Sequence, residues 1–294
     1  MPRPALTTVV ELLKPITWFP PMWAFGCGVI SSGLPAQQRW PAVAAGVLLA
    51  GPMVCGTSQA VNDWFDRHVD AINQPERPIP SGRMPGRWGL YVAIGWTVLS
   101  LVVATPLGLW GLGPAVVGLA LAWAYSAPPL RLKQNGWWGN ATVAACYEGL
   151  PWFTGAAVMA AALPHLRIML LAAAYSLGAH GIMTLNDFKS VDGDRRMGIG
   201  SLPVRLGTSA AARLACAVMA LSQVAVVVML LHWQRPIHAG VVCTLLIVQL
   251  LLMGRLLESP RDYAPWYSAT GVSLYVLGML ASALAVFPTF PVDP

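Results

Sequence analysis

The sequence predicts an all-α, polytopic membrane helix bundle of about nine transmembrane helices with a cytoplasmic N-terminus, and three observations predict it. Of 294 residues, 56% are apolar and only 10% are Asp, Glu, Lys or Arg, against about 25% charged in an ordinary soluble domain. That deficit excludes a soluble single-domain enzyme. Apolar runs of spanning length recur along the whole chain. They are too long and uniform for barrel strands, and backbone polar groups in hydrocarbon must be satisfied internally, so each run is a helix. Third, the basic residues fall almost entirely on one side of those runs.

The runs lie near 16–34, 41–61, 88–106, 109–127, 138–160, 166–185, 210–231, 237–254 and 265–287. With nine spans, Arg39, Arg167 and Arg235 fall in the loops of one side and the other fifteen of the 18 Lys and Arg on the opposite side. The positive-inside rule makes the rich side cytoplasmic and the C-terminus external. Tryptophans near span ends, such as Trp40, Trp88, Trp110 and Trp233, fit an aromatic belt. The net charge of +6 is therefore topological, and no nucleic-acid partner is expected. The five cysteines sit inside apolar runs without a C-x-x-C pair and read as small buried hydrophobes. Prolines interrupt the N-terminal stretch MPRPALTTVVELLKPITWFPP, so no cleaved targeting segment is expected.

Seven of the 12 acidic residues (Asp63, Asp66, Asp70, Glu76, Asp187, Asp192 and Asp194) cluster in two cytoplasmic loops. The first cluster follows an apolar span with no evident breaker, so the helix is expected to continue through it. Asn62, Asp63, Asp66 and Asp70 then project at about 0°, 100°, 40° and 80°, on one face. Asn186, Asp187, Ser190 and Asp194 repeat the same spacing 124 residues later, with Ser190 standing where Asp66 stands. The chain is thus read as a single domain, 1–294, with the same site written once in each half.

Carboxylates crowded on one face at a low-dielectric boundary repel one another and call for a cation. Hard oxygen donors in this number suit Mg²⁺, with Mn²⁺ admissible, held by Asn62, Asp63, Asp66, Asp70, Asp187 and Asp194. Two such faces across a cavity would hold a diphosphate between metal ions. Arg67, Arg77, Arg131, Lys133, Lys189, Arg195 and Arg205 are candidate diphosphate donors. The plainer alternative is a pair of solvated acidic turns neutralised by Arg67, Arg77, Lys189 and Arg195. A solvated turn has no need to repeat side-chain angles. His68, at about 240° on the same wheel, faces away from the acids and is not expected to bind metal.

These motifs resemble the intramembrane UbiA-type prenyltransferase superfamily, which includes the 4-hydroxybenzoate polyprenyltransferases. Asn62, Asp63, Asp66 and Asp70 match its N-D-x-x-D-x-x-x-D motif in full. The second motif is commonly D-x-x-x-D, and here Ser190 replaces its first Asp while Asp187 stands one turn earlier. NDWFDRHVDAINQPERPIPSGR, YSAPPLRLKQNGWWGN and NDFKSVDGDRRMGIGSLPVRLG are most similar to the chlorophyll and bacteriochlorophyll synthase branch. The resemblance implies an enzyme of the bacterial inner membrane that esterifies the propionate of a bacteriochlorophyllide with a geranylgeranyl or phytyl group from its diphosphate. It implies membrane lipid as surroundings and Asp66, Asp70 and Asp194 as the catalytic carboxylates. The acceptor's carboxylate is ionised without help, so no general base is required. Glu148, alone among acids deep in a span, is expected to face an acceptor cavity or a helix partner. Tyr147 and His180 are the other candidates for that cavity. The competing readings are a prenyltransferase for another aromatic acceptor such as 4-hydroxybenzoate and, from another class, a secondary transporter. Against the transporter, the acids sit at helix ends rather than at the midplane.

Overall fold

A computed structural model describes residues 3–286, and they are almost wholly helical; the end of the last expected span, at 287, and the external C-terminus lie outside them. A short amphipathic helix, α1 (Leu6–Leu13), buries Leu12 and Leu13 and is followed by α2 (Phe19–Ser31). The next rod passes through α3 (Trp40–Leu48), a π-helical stretch Leu49–Cys55 and α4 (Gly56–Asn73). Pro52 explains that stretch. It offers no N–H and crowds the carbonyl four residues back, and the chain widens by a π-turn instead of ending the helix. The indole N–H of Trp96 donates to the Pro52 carbonyl at 3.1 Å. The apolar run therefore does contain a breaker, but the helix survives it and continues through the first acidic cluster.

The first half closes with α5 (Trp88–Ala104) and α6 (Leu109–Ser126). Next, α7 (Gly136–Ala144) joins α8 (Leu150–Ala160) through a second π-helical stretch, Ala145–Gly149, just before Pro151. The second half continues with α9 (Leu166–Asn186), short helices α10 (Val191–Arg196) and α11 (Leu202–Leu206), and the long α12 (Thr208–His232), α13 (Pro236–Glu258) and α14 (Pro260–Val286). Among the described residues, seven helical segments are long and apolar enough to cross a membrane, making this an integral multi-pass protein. The expected spans at 16–34 and 138–160 are helical but do not meet that standard. The first is the thirteen-residue α2, and the second, though continuous through its π-turn, is diluted by Asn140, Glu148 and several glycines.

The main core lies where α2, α8, α9, α12 and α14 meet, around the fully buried Trp152, Tyr175, Tyr267 and Tyr275. Helices α2 and α8 touch backbone to backbone. A Cβ on Gly28 would lie 2.0 Å from the Trp152 carbonyl oxygen, and one on Gly155 would lie 2.2 Å from that of Phe25. Such small-residue contacts are how helices associate where lipid gives no hydrophobic drive. Outward positions such as Leu221, Val228 and Leu251 stay exposed, as lipid-facing surface should. A smaller core seats α1 against α4 and α5 through Leu12, Leu13, Val61 and Ala93.

Two connections position the polar end of the bundle. The α6–α7 loop and the segment after α10 form one parallel bridge, Asn135 with Gly200. Its backbone bonds run from Gly136 N–H to the Gly200 carbonyl (2.8 Å) and from Gly200 N–H to the Gln134 carbonyl (3.0 Å).

Candidate active site

The first motif behaves as its spacing predicts. Asn62, Asp63, Asp66 and Asp70 stand on one face of the unbroken α4, and each meets a donor from elsewhere in the chain. Lys14 Nζ reaches Asp63 Oδ1 at 2.6 Å, and Arg77 Nη1 contacts the same oxygen at 3.4 Å and Asp70 Oδ2 at 2.7 Å. Lys133 Nζ donates to Asp66 Oδ1 at 2.5 Å and to Asn62 Oδ1 at 3.1 Å. Arg131 adds a longer contact to Asp66 at 3.4 Å. Burial holds the Lys133 ammonium below its ordinary range, against the pull of Asp66. The other oxygen of Asp63, Oδ2, is buried without a hydrogen-bond partner among the described residues.

The second motif departs from its spacing. Helix α9 ends at Asn186, Asp187–Lys189 is a tight 3₁₀ turn, and Ser190 is non-helical before α10 starts. The reason is local. Both the N–H and the hydroxyl of Ser190 bond the Asp187 carbonyl, each at 3.1 Å, drawing that carbonyl out of the regular helical ladder. Phe188 meanwhile turns into the core. The expectation of four side chains on one continuous helical face is therefore corrected. Asp187 Oδ2 accepts from the Asn140 amide at 3.2 Å, and Asp194 Oδ2 accepts from the Ser190 hydroxyl at 2.9 Å. Burial pushes the Asp194 carboxyl above the usual carboxylate range, and the charge of Asp66 adds to it, so the two motifs sense each other.

Between them lies a cavity of about 300 Å³. Its polar wall carries Asn62 from α4, Tyr125 from α6, Asn140 from α7, Asn186 from the end of α9, and Asp187 and Lys189 from the 3₁₀ turn that follows. Its deeper wall is apolar and small: Ala50, Val54, Gly118, Leu121, Ala122 and Val143. Tyr147 lines it too, its hydroxyl accepting from Gln59 Nε2 at 3.1 Å.

Several expected residues lie elsewhere. Arg67 lies over the Trp64 ring, 4.2 Å from its centroid, and donates to the Trp64 carbonyl. Arg195 and Arg205 are exposed on α10 and α11 and make no ion pair with a motif carboxylate among the described residues. Glu148 is buried but lies in the π-turn on the side away from the cavity, toward Cys27 and Tyr275, with Oε2 unpartnered. His180 stacks on Trp137, with centroids 5.9 Å apart, and does not line the cavity. His68 is exposed, clear of the acidic face. Three functional positions carry no motif: Lys14 holds Asp63, Gln59 donates to Tyr147 and Asn140 to Asp187. The sequence signal for the two amides is their place inside apolar spans, where a polar side chain is costly unless it serves a partner or a site.

Among the described residues, no three Asp, Glu, His or Cys side chains converge as a ready metal site. The donor set still fits a hard divalent ion. It is all oxygen, it includes the orphaned buried Asp63 Oδ2, and Mg²⁺ needs only one or two carboxylates when substrate phosphates supply the rest. A helical membrane bundle with two acidic motifs over one cavity defines a class, and the chain belongs to the UbiA prenyltransferase family, whose model matches residues 17–277. It is 57% identical to the bacteriochlorophyll synthase 33 kDa chain of Cereibacter sphaeroides, over 96% of this chain and 94% of that one. It is 38% identical to the chloroplastic chlorophyll synthase of Arabidopsis thaliana, over 94% of this chain and 73% of that one. Its fold matches a UbiA homologue from Archaeoglobus fulgidus, solved bound to GPP and Mg²⁺, with a TM-score of 0.75 at 17% identity, covering 95% and 99% of the two chains.

Proposed function

We propose that this chain is a membrane prenyltransferase that forms the ester between the propionate of a bacteriochlorophyllide and a geranylgeranyl or phytyl group taken from its diphosphate, the last stage of bacteriochlorophyll synthesis, in the bacterial inner membrane. The similarity to bacteriochlorophyll synthase over nearly the full length supports the pigment acceptor. The observation that carries the chemistry is the cavity that joins Asn62, Asp187 and Lys189 to small apolar side chains. A diphosphate with an isoprenoid tail joins the same two characters.

In this reading one domain contributes a motif from each half. Asn62, Asp63, Asp66, Asp70, Asp187 and Asp194 would hold Mg²⁺, the orphaned Asp63 Oδ2 among their oxygens. When bound, the metal offsets negative charge as it builds on the departing diphosphate. Lys133, Arg131 and Arg77 already rest on these carboxylates. They turn part of their donor capacity to the diphosphate when it arrives, as does Lys189 on the cavity wall. The allylic C–O bond breaks with its electron pair leaving on the diphosphate. A propionate oxygen then bonds the allylic carbon. The carboxylate enters ionised, so no proton has to move. Ala50, Leu121, Ala122 and Val143 keep water from the electron-poor allyl group, which would otherwise be hydrolysed.

The test supplies purified protein with radiolabelled geranylgeranyl or phytyl diphosphate and either bacteriochlorophyllide or 4-hydroxybenzoate. The expected product is the pigment ester. Prenylated 4-hydroxybenzoate with no pigment ester overturns the acceptor assignment.

A further inference from the structure

Two polar side chains in the cavity wall belong to neither acidic motif. Gln59 precedes Asn62 by three residues on α4, which places it about 4.5 Å farther into the bundle on nearly the same face. Tyr147 follows Asn140 along α7 and its π-turn, and so also lies deeper than the motif residues. Both line the cavity, and they meet there. Gln59 Nε2 donates to the Tyr147 hydroxyl at 3.1 Å, and the Cys55 thiol donates to the same oxygen at 3.3 Å. Behind them the Thr17 hydroxyl stands 3.4 Å from Cys55 Sγ and is bonded to the Lys14 carbonyl at 2.8 Å. The phenol is therefore held in place from the chain before α2. A phenolic hydroxyl has two acceptor positions and one proton. With both acceptor positions used, Tyr147 has its own proton to give. Among the described residues the cavity's one Lys or Arg is Lys189, beside Asp187. The level of Gln59 and Tyr147 thus offers hydrogen-bond donors without a formal charge, a setting for one carboxylate rather than for a diphosphate.

Resting on the reading of the chain as a prenyltransferase, we infer that the Tyr147 hydroxyl, oriented by Gln59, seats the propionate carboxylate of the acceptor for its attack. The attacking carboxylate has to lie against the allylic carbon, which hangs from the diphosphate on its membrane side. With the diphosphate at Asn62 and Asp187, that place is one helical turn deeper, where Gln59 and Tyr147 meet. The Tyr147 O–H donates to one propionate oxygen and leaves the other to bond the allylic carbon as the electron pair of the broken C–O bond departs on the diphosphate. A phenol, with an ordinary pKa of about 10, keeps its proton beside a carboxylate, so the nucleophile stays ionised. Tyr147 touches the substrate; Gln59 is a positioning residue.

The test compares bacteriochlorophyllide with the same pigment carrying its propionate as the methyl ester. Binding to purified wild type, Tyr147→Phe and Gln59→Leu is followed by quenching of tryptophan emission, and turnover with geranylgeranyl diphosphate is measured beside it. Wild type should bind the acid at least about tenfold more tightly than the ester, the scale of one hydrogen bond to a charged group. Tyr147→Phe, which removes one oxygen and keeps the ring, should erase that preference and raise KM for the pigment at least about tenfold while KM for the diphosphate holds. Gln59→Leu should shift both in the same direction by less. A packing defect would weaken acid and ester together. Pigment ester formation by a wild type that binds acid and ester alike, a Tyr147→Phe variant that keeps the preference, or one that raises KM for the diphosphate instead overturns the seat. Wild-type protein that prenylates no pigment overturns the prenyltransferase reading itself.

Discussion

The two acidic motifs are spelled alike and built differently. Around the first, α4 runs unbroken from Gly56 to Asn73, and its carboxylates are met by Lys14, Arg77, Arg131 and Lys133. Around the second, α9 stops at Asn186, and the hydrogen bonds to Asp187 and Asp194 come from a neutral amide and a neutral hydroxyl. The difference teaches that side-chain spacing fixes direction only while the helix holds. It also divides the electrostatics. The first motif is a closed network of opposite charges, whereas the second keeps acids whose nearest donors cannot neutralise them. Among the described residues no Lys or Arg forms an ion pair with Asp187 or Asp194, so a divalent ion would have no paired cation to displace there.

That contrast can be broken or sharpened by experiment, beginning with all-or-none outcomes. Both motifs must face the same compartment. Cysteines placed at the exposed Gln74 and Met197 should label with an impermeant maleimide from one side of sealed vesicles, and one at Gln38 from the other, since the five native cysteines are buried or partly so. Labelling of Gln74→Cys and Met197→Cys from opposite sides would dissolve the shared site. Turnover should likewise vanish in excess EDTA and return with Mg²⁺. Full activity in chelator would show that the acids do not act through a metal.

Single residues come next. Asp66→Asn should slow prenyl transfer by about 10²- to 10³-fold, the loss of about 3–4 kcal/mol expected when one preorganised transition-state contact goes. Asp187→Asn should be nearly as damaging, because Asp187 is the carboxylate of the second motif on the cavity wall. If Asp187→Asn is harmless, the second motif is scaffolding only. Lys133→Met should act on folding as well as rate. It strips Asp66 and Asn62 of a shared donor, and thermal unfolding in detergent should report a loss of about 1–3 kcal/mol. Ser190→Ala comes last, with less than about a tenfold effect, since Ser190 bonds Asp194 and a backbone carbonyl but does not line the cavity. A Ser190→Ala loss as large as that of Asp66→Asn would mean that the bend at Ser190, rather than the acids beside it, sets the second half of the site.

Much of this was legible in the sequence. Apolar runs and loop charges gave the all-helical membrane class, and an i, i+1, i+4, i+8 pattern put Asn62 through Asp70 on one face because nothing after Asn62 competes with the helix. Ser190 did compete, through a hydroxyl bond to a carbonyl that spacing alone does not foresee. The partners of the first motif were half visible. Arg77, Arg131 and Lys133 stand in loops where cations were expected, while Arg67 and Arg195 look identical in sequence and turn elsewhere, because a neighbouring indole or open solvent serves them as well. Glu148 and His180 show the same limit. A rare polar residue in a span must be accommodated, but periodicity does not say on which side of a π-turn it will fall.

The bridge between Asn135 and Gly200 has a mechanical consequence. The strap that brings Arg131 and Lys133 to the first motif is stitched at its far end to the chain leaving the second. Two loops that would otherwise swing independently share one hinge. A displacement of either loop is therefore passed to the other through the backbone bonds of Gly136 and Gly200.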